Sequence, residues 1–156
     1  MKKYIFMLIM ALLIVGCDKT TDSNTKSARF YDMRFQYNNR FSKTSSSSTK
    51  NMVIYKKHSA CYMRVDYRDV TKKEDAEDLE RSIFNSLCSR YTIKDEEVNG
   101  LKYQSCLTDS HVKHLSFLKI DGEKTLEYDV SLTGYEGEDE ICSTELKNIE
   151  QSITIK

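Results

Sequence analysis

The sequence predicts an α+β domain: an antiparallel β-sheet packed by two amphipathic helices. Three observations lead there. Several segments alternate apolar and polar residues with a period of two. The dipeptides Asn99-Gly100 and Asp121-Gly122 link such segments by tight turns, and strands joined that way run antiparallel. Two further segments carry apolar residues at helical spacing, and a helix with one apolar stripe must bury it against another layer.

The first strand signal is Tyr31, Met33, Phe35 and Tyr37, which alternate with Asp32, Arg34 and Gln36 until Asn38-Asn39 ends the pattern. Residues 41–51 form a Ser/Thr-rich loop. Met52 to Lys56 reads as a second strand. Cys61, Met63, Val65 and Tyr67 make a third, with Tyr62, Arg64, Asp66 and Arg68 on its opposite face. Thr71 and Glu74 then have the spacing of a capping box, and Asp75, Glu77 and Asp78 suit the positive end of a helix. Ala76, Leu79, Ile83 and Leu87 recur as its apolar stripe, with Phe84 and Cys88 beside them.

Tyr91 to Val98 reads as a strand, and Asn99-Gly100 tolerates the positive φ angles of a hairpin turn. The return strand carries Leu101, Tyr103, Ser105 and Leu107, leaving Cys106 on its other face. Val112 to Ile120 is a further strand. After Asp121-Gly122, Leu126, Tyr128, Val130 and Leu132 alternate with Glu127, Asp129, Ser131 and Thr133. A closing helix places Cys142, Leu146, Ile149 and Ile153 on one stripe. The chain has no proline, so Gly, Asn, Asp and Ser carry the turns.

The start of the chain has a different character. Lys2 and Lys3 precede an apolar run from Tyr4 to Val15, and Gly16-Cys17 follows. The run is about 12 residues, short against the roughly 20 that span a bilayer, and fits the apolar core of a signal peptide. The ending Ile14-Val15-Gly16-Cys17 resembles the lipobox of bacterial lipoproteins. That resemblance implies cleavage before Cys17, a diacylglycerol thioether and an acyl chain (palmitate, for example) on Cys17, and a membrane anchor. Two or more chains hold a protein stably where one does not. Asp18 resembles the sorting signal that keeps enterobacterial lipoproteins on the periplasmic face of the inner membrane. The organisation expected is a signal peptide over residues 1–16, lipidated Cys17 with a flexible tether to residue 28, and one periplasmic domain over residues 29–156.

Without residues 1–16 the chain has a small acidic excess and no basic face of the kind nucleic acid requires. Four cysteines remain, Cys61, Cys88, Cys106 and Cys142, an even number that reads as two disulfides in an exported domain. Three pairings are open. Cys88 with Cys106 is favoured, because the helix end and the far strand of the hairpin should be close, and Cys61 with Cys142 then follows. There is no CxxC for a redox or zinc motif.

The order of elements, the Asn99-Gly100-Leu101 turn after a helix and the closing Leu146–Ile153 segment resemble the PsbP-like fold, which also occurs in small bacterial lipoproteins of the DcrB type. The resemblance spans residues 29–156, does not include the four cysteines, and implies a binding or accessory module.

No catalytic constellation emerges. His111 and His114 have a metal-binding spacing only on a helix; flanking a strand, they point apart. His58 sits in a basic patch read as a loop. The acidic cluster Glu136, Glu138, Asp139 and Glu140 lacks the calcium-loop pattern. No nucleophile elbow or phosphate loop is present. The expectation is therefore a non-enzyme with no metal and no cofactor beyond the lipid on Cys17. It would bind a protein partner, either a secreted toxin, as an immunity protein, or a resident envelope complex, as an accessory subunit. Tyr62, Arg64 and Arg68 on the strand face and Glu136, Glu138 and Asp139 in the acidic loop are the candidate contacts, together with Tyr135. The other reading is a lipoprotein that binds a lipid or small molecule in an apolar pocket lined by tyrosines and Met33 or Met63.

Overall fold

The computed structural model describes residues 24–44, 50–70, 82–122 and 124–156. The signal segment, Cys17 and Asp18, the Thr71–Glu74 capping box, and Ala76 and Leu79 lie outside them.

The described residues form a mostly antiparallel β structure with two helices, in keeping with the α+β class. Strands β1 (Thr25–Phe30), β2 (Met33–Asn38) and β10 (Thr154–Ile155) form a small sheet in the order β1-β2-β10. The large sheet contains β3 (Ser42–Lys43), β4 (Met52–His58), β5 (Cys61–Val70), β6 (Lys94–Val98), β7 (Leu101–Leu107), β8 (Val112–Asp121) and β9 (Lys124–Thr133). Its order is β3-β4-β5-β9-β8-β7-β6, antiparallel at every pairing. The helices are α1 (Ser82–Cys88) and α2 (Glu140–Ser152).

Periodicity explains most of this. Met33 and Phe35 are buried along β2, and Cys61, Met63 and Val65 along β5. Leu126, Tyr128, Val130 and Leu132 are buried along β9, where every second side chain must face one layer. Asn99 and Gly100 both take positive φ, 51° and 78°, and join β6 to β7. Asn99 also works at a distance: its Nδ2 donates to the carbonyls of Gln151 and Ile153, 2.9 Å each, at the C-terminal end of α2.

Several expectations are corrected; His58, read as loop, ends β4. The Tyr31–Tyr37 segment is not one strand; Tyr31 turns at φ 53°, and β1 folds back along β2 as a hairpin. Thr25–Ala28, read as tether, therefore belongs to β1. On α1 the inward residues are Phe84 and Cys88, which cluster with Cys106, whereas Ile83 and Leu87 are exposed. Steps of four fit either pair; the bond to Cys106 decides which one turns inward. Tyr135 is buried rather than exposed.

Both disulfides form as the element order favours. Cys61 bonds Cys142 and ties β5 to α2; Cys88 bonds Cys106 and ties α1 to β7. The two lie on opposite faces of the large sheet, because Cys61 points with the apolar set while Cys106 points away from Tyr103 and Ser105. The α2 side holds the main core: Leu146 and Ile149 cluster there with Met33, Phe35, Met63, Leu115 and Tyr128.

The loops closed span 81 and 18 residues. Loop-closure entropy predicts that replacing Cys61 and Cys142 by Ser costs about 1 kcal/mol more than replacing Cys88 and Cys106. Urea unfolding of the two double variants measures the difference.

Candidate functional site

The face of the large sheet away from α2 presents ordered rows across β5, β9 and β8. Tyr62, Thr133 and Val112 lie abreast; next come Arg64, Ser131 and His114; then Asp66, Asp129 and Ser116; then Arg68, Glu127 and Leu118. Cys106 extends the His114 row, so its bond to Cys88 sets α1 over one end of that face. Between α1 and the rows lies an open cleft of about 380 Å³. Ile83, Phe84 and Leu87 give it an apolar wall; Tyr62, Arg64, Asp66, His114, Asp129 and Ser131 give it a polar floor. Ile83 and Leu87 remain 42 % and 45 % exposed.

The charges on the floor are unevenly paired. Arg64 donates twice to Asp66, Nε to Oδ2 at 2.7 Å and an Nη to Oδ1 at 2.8 Å, and so satisfies both carboxylate oxygens. Arg68 pairs closely with the buried Glu127 and stands 3.7 Å from Asp129. Asp129 is 7 % exposed, and its Oδ1 is buried with no hydrogen-bond partner among the described residues. Burial, with the negative charge of Glu127 beside it, pushes the Asp129 carboxyl up to about 7, and Arg68 and Ser116 offset only part of that. His114 Nδ1 lies 2.9 Å from Ser131 Oγ, and burial holds its imidazole below the usual histidine range.

The structure places the other sequence candidates elsewhere. Glu136 pairs with Lys147 at 3.4 Å. Asp139 caps α2, accepting from the Cys142 N–H at 3.0 Å, and faces His58 at 3.3 Å. That capping bond is the main cause holding the Asp139 carboxyl low. Glu138 is exposed and Glu140 opens the helix. The acidic loop thus organises the start of α2, while Tyr62, Arg64 and Arg68 belong to the opposite sheet face. His111 is exposed at φ 57°, and its carbonyl accepts from the N–H groups of Gly134 and Tyr135. Among the described residues no group of three His, Cys, Asp or Glu side chains is placed to hold a metal ion. Met33 and Met63 are wholly buried within the core cluster.

A second polar group escaped the sequence reading. Glu150 on α2, 6 % exposed, accepts from Lys113 Nζ, Tyr103 OH and Tyr135 OH, each at 2.7 Å. Lys113 also pairs with Glu96 at 3.0 Å, and Glu96 accepts from Ser105 at 2.6 Å. Burial opposes the charge on Lys113, but hydrogen bonds to Glu150 and Glu96 outweigh it and raise the ammonium pKa. Burial and then the bond to Glu150 raise both tyrosines, which keeps them protonated donors. The one available signal was Lys113 itself, a cation alternating in step with Leu115 and Phe117.

No family model matches the chain, and no curated protein matches it. Solved structures similar to it include cyanobacterial PsbP (CyanoP) from Synechocystis sp. PCC 6803, at TM-score 0.47 and 11 % identity, covering 92 % of this chain and 99 % of that one. A protein of Bacteroides thetaiotaomicron VPI-5482 is similar at TM-score 0.47 and 6 % identity, over 85 % of this chain and 48 % of its own. The Saccharomyces cerevisiae Ran-binding protein Mog1p is similar at TM-score 0.44 and 9 % identity, over 85 % of this chain and 95 % of its own.

Asp129 gives a stability test with a defined sign. Its folded pKa of about 7 lies above the ordinary 3.8, so the folded state holds a proton that the unfolded state has released. Its contribution to stability is full below pH 3.8 and is lost as pH rises to about 7. Asp129→Asn removes that titration. The stability of the variant relative to the parent should therefore climb across this interval and level off above it, as read by urea unfolding at a series of pH values.

Proposed function

We propose that this chain is a lipid-anchored, non-enzymatic protein-binding module of the bacterial cell envelope. In this reading Cys17 carries the lipid, Asp18 favours retention at the inner membrane, and residues 18–24 connect the anchor to the domain. The observation that carries the binding role is the cleft face itself. Among the described residues, it joins two exposed aliphatic side chains on α1 to a floor containing Tyr62, Arg64 and an under-compensated carboxylate. An apolar patch with convergent polar groups, beside a rigid sheet, is the composition of a protein contact.

An immunity protein for an envelope-targeted toxin and an accessory subunit of an envelope complex would both use such a face. Among the described residues no helix is long and apolar enough to cross a membrane; attachment through Cys17 is part of the proposal.

Two measurements test the proposal. Cys17→Ala should abolish incorporation of labelled palmitate and release the protein from the membrane fraction; labelled, membrane-bound variant would contradict the anchor. Affinity capture with the tagged full chain, from envelope extract and from supernatants of competing strains, should yield a stoichiometric protein. The paired change Tyr62→Ala and Leu87→Ala should weaken that capture about ten-fold or more. A secreted toxin would make this an immunity protein, and a resident assembly an accessory subunit. Capture unaffected by the paired change would exclude the cleft face, and a co-purifying lipid without protein would replace this reading with ligand carriage.

A further inference from the structure

We infer that the cleft between α1 and the β5-β9-β8 face is a receptor for one lysine side chain of the protein partner, with Asp129 as counter-ion to the ammonium. The inference rests on the protein-binding reading and adds the chemistry of the contact.

Among the described residues, the cations of this face compensate Asp129 only in part. Arg64 is consumed by Asp66 through two bonds, and Arg68 is engaged first by Glu127. Arg68 reaches Asp129 only at 3.7 Å. His114, across β8, is kept towards its neutral form by burial and faces Ser131. A buried carboxylate oxygen without a partner is costly, and a structure keeps one where something else completes it. Asp129 lines the cleft, so a cation entering it stands beside this carboxyl.

The shape of the site selects among cations. A single carboxyl already flanked by Arg68 and Ser116 suits the point charge of an ammonium better than the two-pronged fork of a guanidinium. Ile83, Phe84 and Leu87 line the approach and would pack along the aliphatic stem of a lysine. The Ser131 hydroxyl, in the next row of the same face, also lines the cleft and offers a second acceptor. The raised carboxyl pKa agrees with a buried carboxyl beside Glu127 that Arg68 and Ser116 compensate only in part.

The test uses the full chain in detergent micelles and the probe Nα-acetyl-lysine methylamide, with the norleucine analogue as the uncharged control. Titrations are followed by the NMR resonances of His114, Ser131 and Leu87. The lysine probe should bind about ten-fold more tightly than the norleucine probe, and Asp129→Asn should lose about the same factor. Binding should strengthen as pH rises through about 7, where Asp129 ionises. Among the described residues, the other charged or titratable groups facing it are Asp66, Arg64 and Arg68 from β5, Glu127 on β9 and His114 from β8. His114→Gln should leave the pH midpoint in place, which separates the two titrations. The comparison of probes on the unchanged chain needs no variant to fold. Equal affinity for the two probes, no saturable binding, or an unchanged affinity in Asp129→Asn would overturn the inference. If those failures came with a captured protein that depends on Tyr62 and Leu87, the binding module would stand and only the lysine receptor would fall.

Discussion

Glu150 is the point on which the arrangement of layers depends. It sits near the end of α2, almost wholly buried, and is neutralised by Lys113 from β8 while accepting from Tyr103 on β7 and Tyr135 in the loop after β9. Removing one partner of such a buried pair typically costs about 3–5 kcal/mol, because the other charge is left without compensation. The pair therefore contributes less as an attraction than as a demand that α2 lie in one position. The Cys61–Cys142 bond holds the first turn of the same helix, and Asn99 holds its last carbonyls. Three independent fixings at the two ends of one helix commit that side of the sheet to packing.

The opposite side is built under a weaker constraint. Among the described residues, α1 is a seven-residue helix with a small cluster of its own, Phe84, Cys88 and Cys106. The Cys88–Cys106 bond ties it to β7. It covers one end of the face and leaves the charged rows beside it open to the cleft. The domain thus tolerates a carboxylate at Asp129 that its own cations only partly balance. Stability is surrendered at the position where a partner could restore it, and on the side that the main core does not need.

The alternating strands β2, β5 and β9 were legible because one buried face imposes a strict period of two. The Asn99-Gly100 hairpin was legible because both residues take the left-handed region cheaply. The β1–β2 turn was hidden for the converse reason: Tyr31 adopts a positive φ that its residue type does not advertise, and Tyr31 keeps the apolar beat of the strand across the turn. The orientation of α1 was ambiguous, since Ile83 with Leu87 and Phe84 with Cys88 have identical spacing; only knowing the partner of Cys88 resolves it. The polar floor of the cleft was half visible. Alternation put Tyr62, Arg64 and Arg68 on one strand face, but their meeting with Asp129 and His114 depends on β9 lying between β5 and β8, a topology that no local pattern encodes. The acidic loop drew attention by composition alone, and its charge serves the helix cap and local ion pairs.

In the proposed reading, a partner is bound through the α1 face and not through the α2 face. Site-specific photo-crosslinking in living cells tests it most directly, with the reactive residue placed singly at Tyr62 or Leu87 on the one face and at Ile141 or Arg29 on the other elements. Ile141 is 56 % exposed, so it is as available as Leu87 to any partner that reaches α2. A discrete protein adduct is expected from Tyr62 and Leu87 and none from Ile141 or Arg29. Adducts from Ile141 or Arg29, with none from Tyr62 and Leu87, would contradict it.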